Sequence, residues 1–227
     1  MTADAAPSPD TRIRLIEVAE RLFAEHGVAS VSLRTVGATA GQRNNSVTQY
    51  HFGSKDGLIA AIARHRSAPI SERRMEMVAE LRAADGPPSV ESLIRLLVVP
   101  LAESMAGSRR ETWYLRFLAS ALDHPLMRDL DEPGGPEHPG IAYMLEELRL
   151  RLPGTPAAVF ERRTRWMAAI VVRVLADHER QLASSEGSAV PLDEVVSDLV
   201  VSMAALLRAP RPPRSPAGAP PDAIPSQ

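Results

Sequence analysis

The stretch SLRTVGATAGQRNNSVTQYHFGSKDGL, Ser32 to Leu58, decides how this chain folds. It reads as a short helix, a tight turn, a second short helix and the start of a third. Ser32 is a fitting N-cap for a helix through Thr39, because its hydroxyl can take up a backbone N–H that the first turn leaves unpaired. Gly41 supplies the backbone freedom of a sharp turn. Asn44 is expected to cap a second helix running to about His51, and Ser54 to cap the next. The second helix carries Asn, Ser, Gln, Tyr and His, and no acidic residue occurs from Ser32 to Ser54. Uncharged polar side chains on a short projecting helix suit the major groove of DNA. There Asn45 and Ser46 can reach base edges, and an Asn matches adenine N6 and N7.

Outward from this stretch, everything reads helical. Asp10 can open a helix from Thr11 to about His26, with Leu15, Val18, Ala19, Leu22 and Phe23 on one face and Gly27 as its stop. After Ser54, a helix with Leu58, Ile59 and Ile62 on its apolar face is expected to end before Pro69. Further helices are expected near 70–84, 90–106, 110–123, 138–152, 155–184 and 191–208. Pro100 should kink or split the second of these. There is no strand pattern and no internal repeat. The expected division is 1–9 disordered, 10–53 a helix-turn-helix domain, 54–68 a connecting helix, 69–208 a helical body and 209–227 a disordered tail. The tail holds seven prolines in nineteen residues, a composition that cannot build a core.

Composition excludes several classes. The 227 residues include no cysteine, which removes disulfides, thiolate metal sites and a cysteine nucleophile. The six histidines show no metal-ligand spacing, and no HExxH, P-loop or Gly-x-Ser-x-Gly is present. Neither an enzyme nor a cofactor or metal is expected. The first nine residues lack a basic region followed by an apolar run, so no signal peptide is expected. No apolar stretch approaches the ~20 residues of a membrane helix, and a cytoplasmic setting fits. Residues 1–68 hold eight basic and six acidic side chains, against eighteen and twenty-two in residues 69–227. The mildly basic head would face phosphate. Of the 26 basic residues only Lys55 is a lysine. At the N-terminus of a helix it completes a phosphate seat.

The segment from Thr11 to Ile62 resembles the N-terminal domain of the TetR family of transcriptional repressors. The matching residues are Leu-Phe-Ala-Glu-His-Gly at 22–27, Val-Ser-Leu-Arg at 31–34, Ala-Gly at 40–41 and Tyr-His-Phe-x-Ser-Lys-x-x-Leu at 50–58. The resemblance implies an all-α protein: a three-helix DNA-binding domain followed by a helical ligand-binding and dimerisation domain. By position it assigns Arg34, Asn44, Asn45, Ser46, Gln49, Tyr50, His51 and Lys55 to DNA contact. It also implies a homodimer on a palindromic double-stranded operator, released by a small, apolar effector. Three departures stand out. The turn from Ala40 to Phe52 is one residue longer than usual in the family, Thr48 occupies an ordinarily apolar position, and Gln49 replaces a common aromatic.

In the body, the broad apolar face of 191–208 and Phe160, Met167, Ile170, Val171, Val174 and Leu175 of the preceding helix would pair across a two-fold axis as a four-helix bundle. Candidate ligand-lining residues are Met105, Trp113, Phe117, Met144, Trp166 and Met167, with Arg116 as an anion partner. Two other functions are compatible with the pattern. One is a helical regulator without a small-molecule ligand; the other is a small-molecule-binding protein with a vestigial head.

Overall fold

The structure, a computed structural model, describes residues 9–42, 44, 46–106, 112–125, 138–184 and 190–210. Nine helices run through them and no strand occurs among them, as the periodicity predicts. They are α1 (Pro9–His26), α2 (Leu33–Thr39), α3 (Val47–Phe52), α4 (Lys55–Ala83), α5 (Val90–Ala106), α6 (Tyr114–Ala121), α7 (Pro139–Arg151), α8 (Ala157–Ala183) and α9 (Leu192–Arg208). The disorder expected for the tail and for the first residues falls outside the described residues, apart from Pro9, Ala209 and Pro210.

The head forms where its punctuation predicts. Ser32 Oγ accepts from the Thr35 N–H at 3.1 Å, and Ser54 Oγ accepts from the Gly57 N–H at 3.0 Å. Gly27, Gly41 and Gly53 all have positive φ, at 80°, 78° and 70°, a region that side chains with a Cβ enter at a cost. Leu15, Ile16, Ala19 and Phe23 of α1, Val36 of α2 and Leu58, Ile59 and Ile62 of α4 close the core of the head.

Two prolines depart from expectation, for opposite reasons. The helix begun at Ser54 does not end before Pro69; α4 continues through it to Ala83. A proline cannot donate to the carbonyl four residues back, here that of His65. Both residues are exposed, so water can take up that carbonyl. Pro100 is buried, yet α5 is not split. The carbonyl orphaned by Pro100 belongs to Leu96, and Arg74 Nε of α4 donates to it at 2.8 Å. The orphan is met by a side chain instead of by water.

The head is fastened to the body at three points. Arg66 of α4 forms a bidentate pair with Glu20 of α1, at 2.7 Å from Nε and 2.8 Å from Nη2. Phe23 of α1 stacks on Phe117 of α6 with centroids 6.1 Å apart. His124, just after α6, lies 3.6 Å from Asp56 in the first turn of α4. Burial disfavours the Arg66 charge, but the hydrogen bond and charge of Glu20 outweigh it and hold Arg66 above the usual arginine range. Glu20 is 1% exposed. Removing Arg66 would strand a buried carboxylate, so Arg66→Met is expected to destabilise the protein by about 2–3 kcal/mol. Thermal unfolding should fall by roughly 5–10 °C; an unchanged midpoint would count against this pair as a fastening.

Candidate nucleic-acid interface

The interface is built on α3, held between α2 and α4. Val47 and Phe52 pack against the core from either end of the short helix, and Thr48 is fully buried between them. The contact with α2 is close: a Cβ placed on Gly37 would come within 2.9 Å of Thr48 Oγ1. That hydroxyl has no hydrogen-bond partner. Thr48 thus fills the usual apolar position with a polar atom that gains nothing there. A buried unsatisfied hydroxyl costs ~1–3 kcal/mol, so Thr48→Val is expected to raise stability by about 1 kcal/mol, read as a higher thermal midpoint. A lower midpoint would mean that the hydroxyl has a partner such as bound water.

With its apolar side turned inward, α3 presents the rest to solvent. Gln49 and Tyr50 are exposed, Tyr50 at 76%. Arg34 on α2 and Asn44 and Ser46 ahead of α3 are exposed as well. His51 is half-buried and its Nε2 is enclosed without a partner. Burial first, then the Arg12 guanidinium, lowers its pKa below the ordinary histidine value. His51 is therefore neutral at pH 7, a hydrogen-bond donor and not a cation. Lys55 Nζ donates to the Ala29 carbonyl at 3.1 Å, which steadies the loop between α1 and α2.

Asn44 corrects the sequence reading. It does not cap α3, which starts at Val47 after Ser46. Its Oδ1 instead accepts from the Ser46 backbone N–H at 3.0 Å and from the Ser46 hydroxyl. Asn side chains mimic a backbone turn in this way, and the local bond consumes the oxygen that a cap would use. Asn45 lies outside the described residues.

Sequence reasoning missed Arg12. Its guanidinium sits 5.4 Å from the centroid of the Phe52 ring, so α1 brings a cation to the C-terminal end of α3. Arg14, two residues on, reaches the Gly41 turn: a Cβ on Gly41 would lie 3.7 Å from Arg14 Nη2. Nothing local could have signalled either contact, because the partners are about forty and twenty-seven residues away.

The candidate ligand residues are less united. Met105, Phe117, Met144 and Met167 belong to the buried core of the body. Trp166 is 50% exposed on the outer face of α8, apart from them. Arg116 is buried but already neutralised: its backbone N–H and Nε donate to Glu179 Oε2 at 3.0 and 3.2 Å. Its guanidinium also stacks 3.8 Å from the Trp113 ring centroid. An arginine so engaged is not poised for an anion.

Comparison with known proteins agrees with this geometry. Residues 15–62 match the family described as bacterial regulatory proteins, tetR family. The chain is similar to the HTH-type transcriptional repressor AcnR of Corynebacterium glutamicum, 33% identical over 73 residues. That match covers 32% of this chain and 38% of the repressor, so the chain is aligned to well under half of its relative's length. Among solved structures, NalD, the secondary repressor of the MexAB-OprM multidrug efflux pump in Pseudomonas aeruginosa, superposes with a TM-score of 0.52 at 19% identity, covering 86% of this chain and 94% of NalD. A TetR-family transcriptional regulator from Rhodococcus sp. superposes with a TM-score of 0.51 at 14% identity, covering 87% and 99%. At those identities the two structures speak for the fold, head and body together. The head, Leu15–Ile62, is thus similar to the tetR family of bacterial regulatory proteins.

Proposed function

We propose that this chain is a transcriptional repressor. It binds a palindromic operator as a homodimer and is released when a small molecule occupies the helical body. The observation that carries the reading is α3 itself. It is a six-residue helix whose apolar side is packed away and whose Gln49 and Tyr50 stand in solvent between two positive-φ glycines. A helix so held suits the major groove, with its neighbours on phosphate. Asn45, Ser46 and Gln49 read bases, while Arg34, Tyr50, His51 and Lys55 hold the backbone, with Arg12 added from α1. DNA as the partner implies a cytoplasmic setting. No helix among the described residues is long and apolar enough to cross a membrane.

The three fastenings between head and body support the coupling. An effector that prefers one spacing of the two heads shifts the population toward it by its differential affinity, typically ~1–3 kcal/mol. Helix α4 is the lever, since Asp56, Arg66 and Arg74 on it reach the segment just after α6, α1 and α5 in turn.

The test is titration of the protein against its own upstream DNA. Specific binding should exceed non-specific binding by ~10³-fold or more and weaken steeply with salt. Equal affinity for random DNA would sink the reading. Tyr50→Ala and Lys55→Ala should each weaken binding to all sequences alike, whereas Asn45→Ala should change base preference.

A further inference from the structure

Arg74 is a buried cation that no carboxylate among the described residues balances. It is 6% exposed, in the middle of α4, facing α5 and α7. Arginine is rarely so buried unless paired. The other two buried arginines among the described residues are accounted for: Arg116 has Glu179, and Arg163 donates to the Leu207 and Pro210 carbonyls at the end of α9. Arg74 has no carboxylate partner among the described residues. Its Nε–H goes to the Leu96 carbonyl, and among the described residues its two amino groups have no carboxylate to pair with. Burial therefore pulls its pKa down to about 10, with only nearby Tyr114 acting the other way. It remains protonated at pH 7, a charge largely withdrawn from solvent. The fold makes room for it nonetheless. A Cβ on Gly140 at the start of α7 would come within 2.8 Å of Arg74 Cγ and Cδ.

We propose that Arg74 anchors an anion-binding site at the junction of α4, α5 and α7, and that its ligand is a carboxylate on an apolar frame. The Nε–H is committed to Leu96, so the two outer amino groups present the paired donors that a carboxylate accepts. One positive charge matches a monovalent carboxylate better than a doubly charged phosphate. Ile70, Val78, Leu97 and Met144 on the same three helices are buried, and they are the apolar side chains such a frame would meet. The assignment rests on the effector reading above and names the effector's class.

The experiment uses the full chain and follows thermal unfolding at constant ionic strength. The probes are decanoate against decanol and decylamine, and 2-naphthoate against 2-naphthol. Arg74→Met alone would orphan the Leu96 carbonyl, so it is paired with Pro100→Ala, whose restored N–H can take that carbonyl. P100A serves as the control. The carboxylates should stabilise wild type and P100A well beyond their neutral and cationic counterparts, and R74M/P100A should bind them about 10- to 100-fold more weakly. A merely structural Arg74 would lower the baseline midpoint without touching the carboxylate preference. Equal responses to acid and alcohol on both frames, or a carboxylate response retained in R74M/P100A, would overturn the proposal. A carboxylate response without any change in affinity for the upstream DNA would keep the site and remove the coupling to DNA release.

Discussion

Replacing Gly57 with alanine is expected to abolish operator binding while leaving most of the helical body folded. Gly57 sits in the first turn of α4, and its N–H is the one that Ser54 Oγ caps. A Cβ there would stand 2.0 Å from the Phe52 carbonyl oxygen and 3.1 Å from the Phe52 carbonyl carbon. Those atoms are backbone at the end of α3, and the same oxygen already accepts from the Ser54 N–H at 2.8 Å. A flexible side chain could swing aside; this carbonyl cannot move without carrying α3 with it. The strain should be ~3 kcal/mol or more, relieved by swinging α3 or by fraying the start of α4. Either outcome displaces Gln49 and Tyr50 and detaches Lys55 from Ala29. Operator affinity should fall by more than ~100-fold, with helicity by circular dichroism reduced only slightly. An unchanged operator affinity for G57A would mean that α3 is not the reading element.

That glycine also marks how far the sequence could be read. Ser32, Ser54, Gly27 and Gly41 were legible because their work is local: an N-cap or a positive φ depends on three or four neighbouring residues. The helical periodicity was legible for the same reason, and with it the all-α architecture. Contacts between distant segments were not. The clash awaiting a side chain at Gly57 depends on where α3 ends relative to α4. Arg74 and Leu96 are separated by 22 residues, yet their bond explains why Pro100 leaves α5 whole. Arg116 could be picked out as an anion partner because an arginine beside aromatics looks available. Only the fold reveals Glu179, 63 residues on, already holding it. Asn44 failed in a different way. Its two local options, a cap and a turn of its own, are close in energy, and the seven residues from Ala40 to Ser46 leave space for the turn.

In the dimer proposed above, Trp166→Glu is expected to part the two protomers and, with that, to lose most of the operator affinity. The apolar residues of α8 divide into two sets. Phe160, Met167, Val171 and Leu175 are buried within the protomer. Trp166, Ile170 and Val174, spaced four apart on one stripe, are not; Trp166 is 50% exposed and Val174 36%. The breadth of α9 that suggested an interface is largely used internally, since Val196, Leu199, Val200, Met203 and Leu207 are buried and α9 packs on α5. What α9 leaves outside is Val201, 66% exposed, among Glu194, Ser197, Asp198 and Ser202. The interface expected from these faces is thus narrower and more polar than a bundle built from whole apolar helices, with one large aromatic in it. Interfaces of that kind concentrate their energy in such a residue, and truncating a tryptophan hot spot commonly costs ~2–4 kcal/mol. A glutamate adds the cost of burying a charge on each side of the two-fold axis. Arg162, whose guanidinium lies 5.4 Å from the Trp166 ring centroid, would lose its aromatic partner but gain a carboxylate. That compensation is open to solvent and small. Sedimentation should therefore show a monomer for W166E at concentrations where the wild type is dimeric. Because two heads on one palindrome bind through an effective concentration that a monomer lacks, operator affinity should fall by ~10²- to 10⁴-fold while binding to a half-site stays near wild type. A W166E protein that remains dimeric would move the interface away from this stripe. A monomer with undiminished operator affinity would instead remove the two-fold reading of the operator.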